Sequence, residues 1–406
     1  MNTTTAPRPD DVVVVSAART PQGRLGGALA SLTAVELGAV AARAALSQAG
    51  SLAADVDAVI FGQVLQAGAG QNPARQTAVA AGVGMDVPAV TVNKVCLSGL
   101  TAVVDGARLL RTGEASVVLV GGQESMTNAP HLLPGARAGF RYGDATLLDA
   151  VARDGLSDAF DGQAMGRSTE EHNTGEVFVS REEQDAVAAA SHQRAARAAK
   201  DGLLAAELAP VEVPQRKGDP VVVSSDEGVR PYTSADGLAR LRPAFSREGT
   251  LTAGNSSQIS DGAAALVLTT RSRAADAGVD VLATVRSAGQ VAGPDTSLHS
   301  QPANAITAAL GREGWTVADL DHVEINEAFA VVAAVSTRVL GLDPEIVNPH
   351  GGGISLGHPI GASGARLAVH AVHELARRRA GGEAGVRAAV ALCGGGGQGE
   401  ALLLEA

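Results

Sequence analysis

Four short stretches carry residue types that can do chemistry together: VNKVCLSG at 92–99, NEAFA at 326–330, GGGISLGHPIGASG at 351–364 and CGGGGQG at 393–399. Cys96 follows an extended apolar run, residues 88–92, and precedes a small-residue turn and a helical stretch. At the start of a helix the dipole favours thiolate over thiol, which predicts a pKa below the reference of about 8.5 and a nucleophilic sulfur. A lone cysteine is also a small apolar residue that suits a core, and position alone does not separate the two readings. His358, between Gly357 and Pro359, lies in a segment too rich in glycine for a packed helix. On a rigid turn ahead of a helix it can act as the base for a thiol; as a solitary imidazole it can equally be a satisfied core or surface residue. Cys393 ends an apolar run and is followed by four glycines. It reads either as a buried thiol beside a tight turn or as a second acid/base, next to N–H groups that glycine lets approach an oxyanion closely.

The glycine runs do not read as phosphate loops. Neither GxxxxGK followed by Ser or Thr, nor GxGxxG after the first strand, occurs, which argues against nucleotide hydrolysis and dinucleotide binding.

The elements that must position these residues alternate. Strands are expected at residues 11–17, 58–63, 89–93 and 116–121, with helices from Thr33, Pro73 and Leu97 between them. Thr33 with Glu36 forms a capping box, and Asn72-Pro73 pairs an N-cap with a proline at the first helical position. The last part of the chain repeats the scheme: a strand at 323–325 leading into a helix from Asn326, a short strand at 346–347, a helix at 363–379 and a strand at 388–392. Ser98-Gly99 and Ser363-Gly364 open matching helices, which suggests two related halves, each a mostly parallel sheet covered by helices. Residues 125–250 lose this rhythm apart from a helix opened by the box Ser180 to Glu183, and are expected to lie over the active face.

All four chemical stretches end an expected strand or open an expected helix, so they can converge at the carboxyl edge of a sheet. Composition fits such an enzyme. The 406 residues are 45% hydrophobic but only 2% aromatic, so the core must be built from Ala, Val and Leu. A net charge of −11 and a pI near 5.3 argue against nucleic-acid and anionic-membrane partners. No apolar stretch reaches the length of a membrane span and the N-terminus has no leader pattern. The two cysteines match neither metal spacing nor a disulfide framework, so both are expected as reduced thiols in the cytoplasm.

Together with VVSAARTP at 14–21, GGQESM at 121–126, DAFDG at 158–162 with Met165-Gly166, LRPAF at 241–245, TAGNSS at 252–257 and DGAAA at 261–265, the four stretches resemble the thiolase family. The resemblance implies an α/β fold of duplicated βαβαβαββ halves in a layered core with an inserted loop domain. In this chain the halves would be 1–124, completed by 251–277, and 278–406, with 125–250 as the loop domain covering the coenzyme A site. It implies a homodimer or homotetramer, with 131–144 where a tetramer-forming loop would lie. It implies no metal, and no cofactor beyond the coenzyme A thioester that is the substrate.

By the same resemblance Cys96 takes an acyl group from acyl-CoA while His358 removes its proton, and Cys393 deprotonates the α-carbon of a second acetyl-CoA. One oxyanion hole would be the N–H groups of Cys96 and Gly395, the other His358 with a water held by Asn326. Arg230 would meet the nucleotide end of coenzyme A, Ala253 and Ser257 the pantetheine, and Met165 and Phe329 the pocket wall. Departures from the family pattern are Leu97 after the nucleophile, Ala164 before Met165, the stretch 293–305 and Asn348-Pro349-His350. Leu97 and 293–305 are expected to resize the acyl pocket. The implied reaction interconverts two acetyl-CoA with acetoacetyl-CoA and CoA; the alternative is a broad-chain 3-ketoacyl-CoA thiolase of fatty-acid β-oxidation. A decarboxylating ketoacyl synthase would replace the second cysteine by His or Asn, and a non-catalytic acyl-CoA-binding relative would lose one of Cys96, His358 and Cys393, all of which are present.

Overall fold

The computed structural model describes residues 7–406; residues 1–6, where the reading of the N-terminus begins, lie outside the described part. The sheet that organises the molecule contains β1 (Val12–Arg19), β2 (Ala58–Gly62), β3 (Ala89–Val92), β4 (Val117–Ser125), β5 (Ser260–Thr270), β6 (Ala283–Ala292), β7 (His322–Ile325), β8 (Arg387–Gly394) and β9 (Gln398–Glu405). The helices that matter for the site are α1 (Ala34–Gln48), α2 (Pro73–Ala80), α3 (Ser98–Thr112), α4 (Met165–His172), α5 (Arg181–Lys200), α6 (Gln301–Glu313), α7 (Ala330–Leu340) and α8 (Ser363–Ala380).

The strands follow one another across the sheet as β7-β8-β9-β6-β1-β5-β4-β2-β3, with Gly23–Arg24 as a short addition beside β5. The order exposes the duplication. From one edge, the first half runs β3-β2-β4-β5-β1. In the second half a bridge between Val347 and Val323 takes the place of β3 and is followed by β7-β8-β9-β6, the same order of equivalent strands. The pairings of β2 with β3, β2 with β4 and β7 with β8 are parallel, whereas those of β5 with β1 and β4, of β9 with β6 and β8, and of β1 with β6 are antiparallel. The sheet is therefore mixed, not mostly parallel. Each half closes by antiparallel strands, and in the second half a turn through Gly396 and Gly397, both at positive φ, folds β9 back onto β8.

Period-two burial sorts the strands into layers. Val12 and Val14 of β1, Val118 and Val120 of β4, and Val390 and Leu392 of β8 face one shared core containing Leu100 and Val103 of α3 and Leu367 and Val372 of α8. Their neighbours Val13, Val15, Val117 and Leu119 face a second core with α1 and α2. Ala389 and Ala391 face a third core with α6. α3 and α8 thus lie between the two sheet halves, with the other helices outside.

Local chemistry explains the helix starts. Thr33 Oγ1 accepts from Glu36 N–H at 3.2 Å while Glu36 returns a bond to Thr33 N–H at 2.8 Å. Ser180 and Glu183 do the same at 3.2 and 2.9 Å. The expected helix from Asn326 begins instead at Ala330. The backbone of 326–330 is spent on other segments: Asn326 N–H donates to Ala391 O, Ser257 N–H to Ala328 O and Ala330 N–H to Asn255 O. These bonds hold NEAFA extended, so the Asn326 side chain stays on the face set by β7. Among the described residues, no helix is long and apolar enough to cross a membrane.

α3 and α8 meet at their N-terminal ends, and the contact requires glycine. A Cβ on Gly99 would sit 2.8 Å from Ala365 N, and one on Gly364 would fall on the backbone of Leu100. Gly99→Ala should therefore cost about 1–3 kcal/mol in urea denaturation. Gly311→Ala, on an exposed face of α6 with open space around it, should be neutral or stabilising by about 0.5–1 kcal/mol. Equal losses from the two would contradict the close crossing.

Candidate active site

Cys96 is presented by a turn between β3 and α3 whose conformation is forced. Val95 has φ 51°, in the left-handed region that a β-branched residue avoids. Asn93 Oδ1 accepts from Val95 N–H at 3.0 Å. Ser98 Oγ accepts from Lys94 N–H at 2.8 Å and donates to Val95 O at 2.6 Å, which locks the turn. The sulfur faces the N–H groups of Cys96 itself and of Gly395.

Those N–H groups do pull the thiol pKa down, as the helix-start reading expects, but burial is the larger effect. Although part of Cys96 opens on a cavity, the protein around it withdraws water from the sulfur and pushes its pKa up to about 12, with the Glu124 carboxylate adding in the same direction. The expectation of a lowered pKa is corrected accordingly. A charge removed from water costs more than a few partial charges at a helix start return. In the resting protein the thiol is neutral and needs a base.

His358 supplies one. Its backbone N–H donates to Gln258 O and Ser260 Oγ, each at 3.2 Å, which fixes the residue's position. Ser363 Oγ lies 2.5 Å from His358 Nδ1 and donates its own proton to Pro359 O at 2.9 Å. With that hydroxyl proton committed, Nδ1 must be the donor to Ser363, which leaves a lone pair on Nε2. Burial and then the charge of Arg366 lower the imidazole pKa to about 3, so the ring is neutral. Asn326 Nδ2 stands 3.4 Å from His358 Nε2, and its Oδ1 is buried without a partner.

Cys393, at the end of β8, is 1% exposed, and burial followed by the charge of Cys96 raises its pKa. The structure brings Cys96, His358 and Cys393 together with Gly395, Met165 and Phe329 around a cavity of about 50 Å³. Ser257 also lines it. A larger cavity of about 540 Å³ shares Met165, Ser257, Phe329 and His358, and runs outward past Ala253 and Phe245. Phe245 and Phe329 meet edge to face, ring centroids 6.1 Å apart. Another cavity of about 600 Å³ adjoins the small one through Val95, Met165 and Gly395.

Two residues are placed differently from the rest. Leu97 is wholly buried in the core shared by the sheet halves and lies against Gly394, behind the cavity wall and not on it. It can act on the acyl site only through the position of Gly394. Arg230 lines none of these cavities; its backbone N–H donates to His192 Nδ1 at 3.1 Å, and its loop is tied to the outer cavity by Gln258 Nε2 donating to Gly228 O at 3.2 Å.

Two site residues escaped sequence reasoning. Glu124 accepts from the N–H groups of Val64, Leu65 and Gly361 at 3.0, 3.2 and 2.9 Å, and burial raises its pKa to about 7. It joins the end of β2 to the turn that carries His358. Glu327 accepts from Ser191 Oγ at 2.6 Å, Asn348 Nδ2 at 3.1 Å and Ile354 N–H at 3.1 Å, anchoring the glycine turn to NEAFA. Both lie in stretches recognisable by their letters, but nothing local says which way their carboxylates turn. Outside this cavity, His322, Glu324 and His370 place ligand-type atoms within 4.8 Å of one another.

Comparison with known proteins agrees with this architecture. Residues 12–272 match the model described as thiolase, N-terminal domain, and residues 279–406 match that of thiolase, C-terminal domain. A probable acetyl-CoA acetyltransferase of Mycolicibacterium smegmatis is 55% identical over 393 residues, 97% of this chain and 100% of the relative. One of Mycobacterium tuberculosis is 56% identical over 394 residues, 97% of this chain and 99% of the relative. An acetyl-CoA acetyltransferase of Cupriavidus necator is 47% identical over 395 residues, again 97% and 99% of the two chains. With both family domains matched in order and the two halves folded on the same strand plan, the chain belongs to the thiolase family.

Proposed function

We propose that this chain is an acyltransferase that interconverts two molecules of acetyl-CoA with acetoacetyl-CoA and CoA through a thioester on Cys96. The observation that carries the reading is the convergence of Cys96, His358 and Cys393 on one small cavity, with two backbone N–H groups directed at the Cys96 sulfur. His358 Nε2 takes the Cys96 proton as the sulfur attacks the acyl-CoA carbonyl and keeps it, while Cys393 gives its own proton to the departing CoA thiolate. The Cys393 thiolate so formed removes a proton from the α-carbon of acetyl-CoA, the resulting carbanion attacks the thioester, and His358 returns its proton to the released Cys96 sulfur. The N–H groups of Cys96 and Gly395 stabilise one oxyanion; protonated Nε2 of His358 and a water on Asn326 stabilise the other. Each such donor is worth about 10²–10³ in rate.

The coenzyme A chain would enter by the outer cavity, with pantetheine beside Ala253 and Ser257, Met165 and Phe329 as walls, and the nucleotide near Arg230. No cofactor beyond coenzyme A is required by these steps. The acetyl preference rests on volume: the cavity where Cys96, His358 and Cys393 meet holds about 50 Å³, against about 540 Å³ for the outer one. A second reading, thiolysis of longer 3-ketoacyl-CoAs, is favoured by the neighbouring cavity of about 600 Å³. We also read 1–124 with 251–277, 125–250 and 278–406 as the two halves and the loop domain, and the protein as a cytoplasmic homodimer or homotetramer. Exposed Phe140, Tyr142 and Leu147 support self-assembly through that loop.

Thiolysis rates against 3-ketoacyl-CoAs of increasing length distinguish the two substrates. The acetoacetyl reading expects kcat/KM to fall at least about tenfold with the first two added carbons; a flat or rising profile supports the second. Cys393→Ala should still form the acyl-enzyme, seen as a mass increment on Cys96, while condensation falls by about 10²–10⁴. Normal turnover in that variant would remove Cys393 as the acid/base.

Because the Cys96 pKa is raised, the base has a measurable signature. In His358→Gln, acylation at neutral pH should drop by about 10²–10⁴, and the residual rate should then climb about tenfold per pH unit as thiolate appears on the way to a pKa near 12. A residual rate independent of pH would mean that the thiolate is already formed without His358.

A further inference from the structure

The acyl-transfer steps leave the stretch DAFDG at 158–162 without a role, yet its first residue reaches the turn that carries Gly395. Asp158 is 3% exposed. Its Oδ2 accepts from Gly396 N–H at 2.9 Å, while Oδ1 accepts from Phe160 N–H at 2.8 Å within its own loop. That loop is closed on itself: Asp158 N–H donates to Gln163 O at 2.8 Å, and Gly162 N–H donates to Asp158 O at 3.1 Å. It runs directly into α4, whose first residue, Met165, lines the acyl cavity and donates its N–H to Leu156 O at 2.8 Å. Asp158 is thus itself held in place where it holds Gly396.

The next residue of the turn is held by a second segment. Gln301, 4% exposed at the start of α6, donates through Nε2 to Gly397 O and Gly293 O, each at 2.9 Å. Gly293 N–H also donates to Gly397 O at 2.9 Å, and a Cβ on Gly397 would fall on Asp295 O. The stretch 293–305 reaches the acyl cavity through Leu298, and through Gln301 it also braces this turn. Such bracing is needed because the turn cannot fix itself. Consecutive glycines leave the backbone free to direct a peptide N–H toward the sulfur or away from it. An oxyanion hole works only when its donors are already aimed where charge develops. Gly394 is fixed by pairing with Gln398, Gly396 by Asp158 and Gly397 by Gln301. The peptides on both sides of Gly395 are thereby set, and its N–H is directed at the Cys96 sulfur.

We propose that Asp158 and Gln301 are positioning residues for acyl transfer: they brace the Gly394–Gly397 turn and hold Gly395 N–H where the oxyanion of the Cys96 thioester forms. Neither touches the reacting atoms. The inference rests on the thioester reading of Cys96 and deepens it. It also gives the stretch 125–250 a part in the chemistry, because Asp158 reaches from there to a turn of the second half.

The test compares Asp158→Ala with the parent, using acetyl-CoA labelled with carbon-13 at the carbonyl. In the variant kcat should fall at least about tenfold, part of the roughly 10²–10³ that losing a whole donor costs, while KM stays near the parent's. In the acyl-enzyme, isolated free of CoA, the infrared band of the labelled thioester carbonyl should move up, toward that of a free thioester, because its hydrogen bond is misaligned. Gln301→Met, which keeps the side-chain length and loses the donor, should move both readouts the same way, and it carries the test if Asp158→Ala fails to fold. A parent-like kcat and band in the folded variant would overturn the proposal. So would a low kcat with the band in place, the mark of a merely structural role. A parent that forms no thioester on Cys96 sinks the reading and the proposal together, whereas a parent and variant that acylate Cys96 equally well sink the proposal alone.

Discussion

The constraint on which the site depends is the crossing of α3 and α8 at Gly99 and Gly364, where each helix start has room only for the other's backbone. Because the two sheet halves share a strand order, the turns before these helices are equivalent positions in a duplicated plan. One turn carries Cys96 and the other His358. Bringing the helix ends into contact therefore brings thiol and imidazole into one cavity, and the end of β8 adds Cys393 from the second half. No single half contains the chemistry.

The same packing sets the protonation states. Burial raises both thiols and lowers His358 to about 3, so the resting site holds neutral groups and no thiolate–imidazolium pair. A neutral pair avoids the cost of two desolvated charges in the absence of substrate. The hydroxyl of Ser363 then matters because it decides which imidazole nitrogen faces the reaction: with its own proton on Pro359 O, it can only accept from Nδ1. Glu124 and Glu327 spend their carboxylates on the backbone N–H groups of Gly361 and Ile354, which fixes the glycine-rich turn around His358 without placing charge in the cavity.

Much of this was legible in the sequence. Capping boxes at Thr33 and Ser180 mark true helix starts, and the paired Ser-Gly openings mark the duplicated turns. Cys96, His358 and Cys393 line one cavity, whereas Leu97 and Arg230 do not. What was not legible depends on distant partners. The direction of the Cys96 shift follows from burial, a property of the assembled core and not of the local helix start. Leu97 is read from its neighbour as a pocket residue, but α3 turns it into the core against Gly394. NEAFA has the letters of a helix, and its extended form appears only once residues 255, 257 and 391 supply hydrogen bonds. Similarly, the antiparallel strands β5, β6 and β9 pair across long stretches of chain that local periodicity does not connect.

The neutral resting pair is tested most directly by nitrogen-15 NMR of the histidine side chains, with His358→Gln to assign the signal. The expected spectrum shows His358 as a single neutral tautomer, protonated on Nδ1, unchanged from about pH 5 to about pH 9. An imidazolium at neutral pH, discharged only as the solution is made alkaline, would show that Cys96 rests as a thiolate and would contradict the central claim.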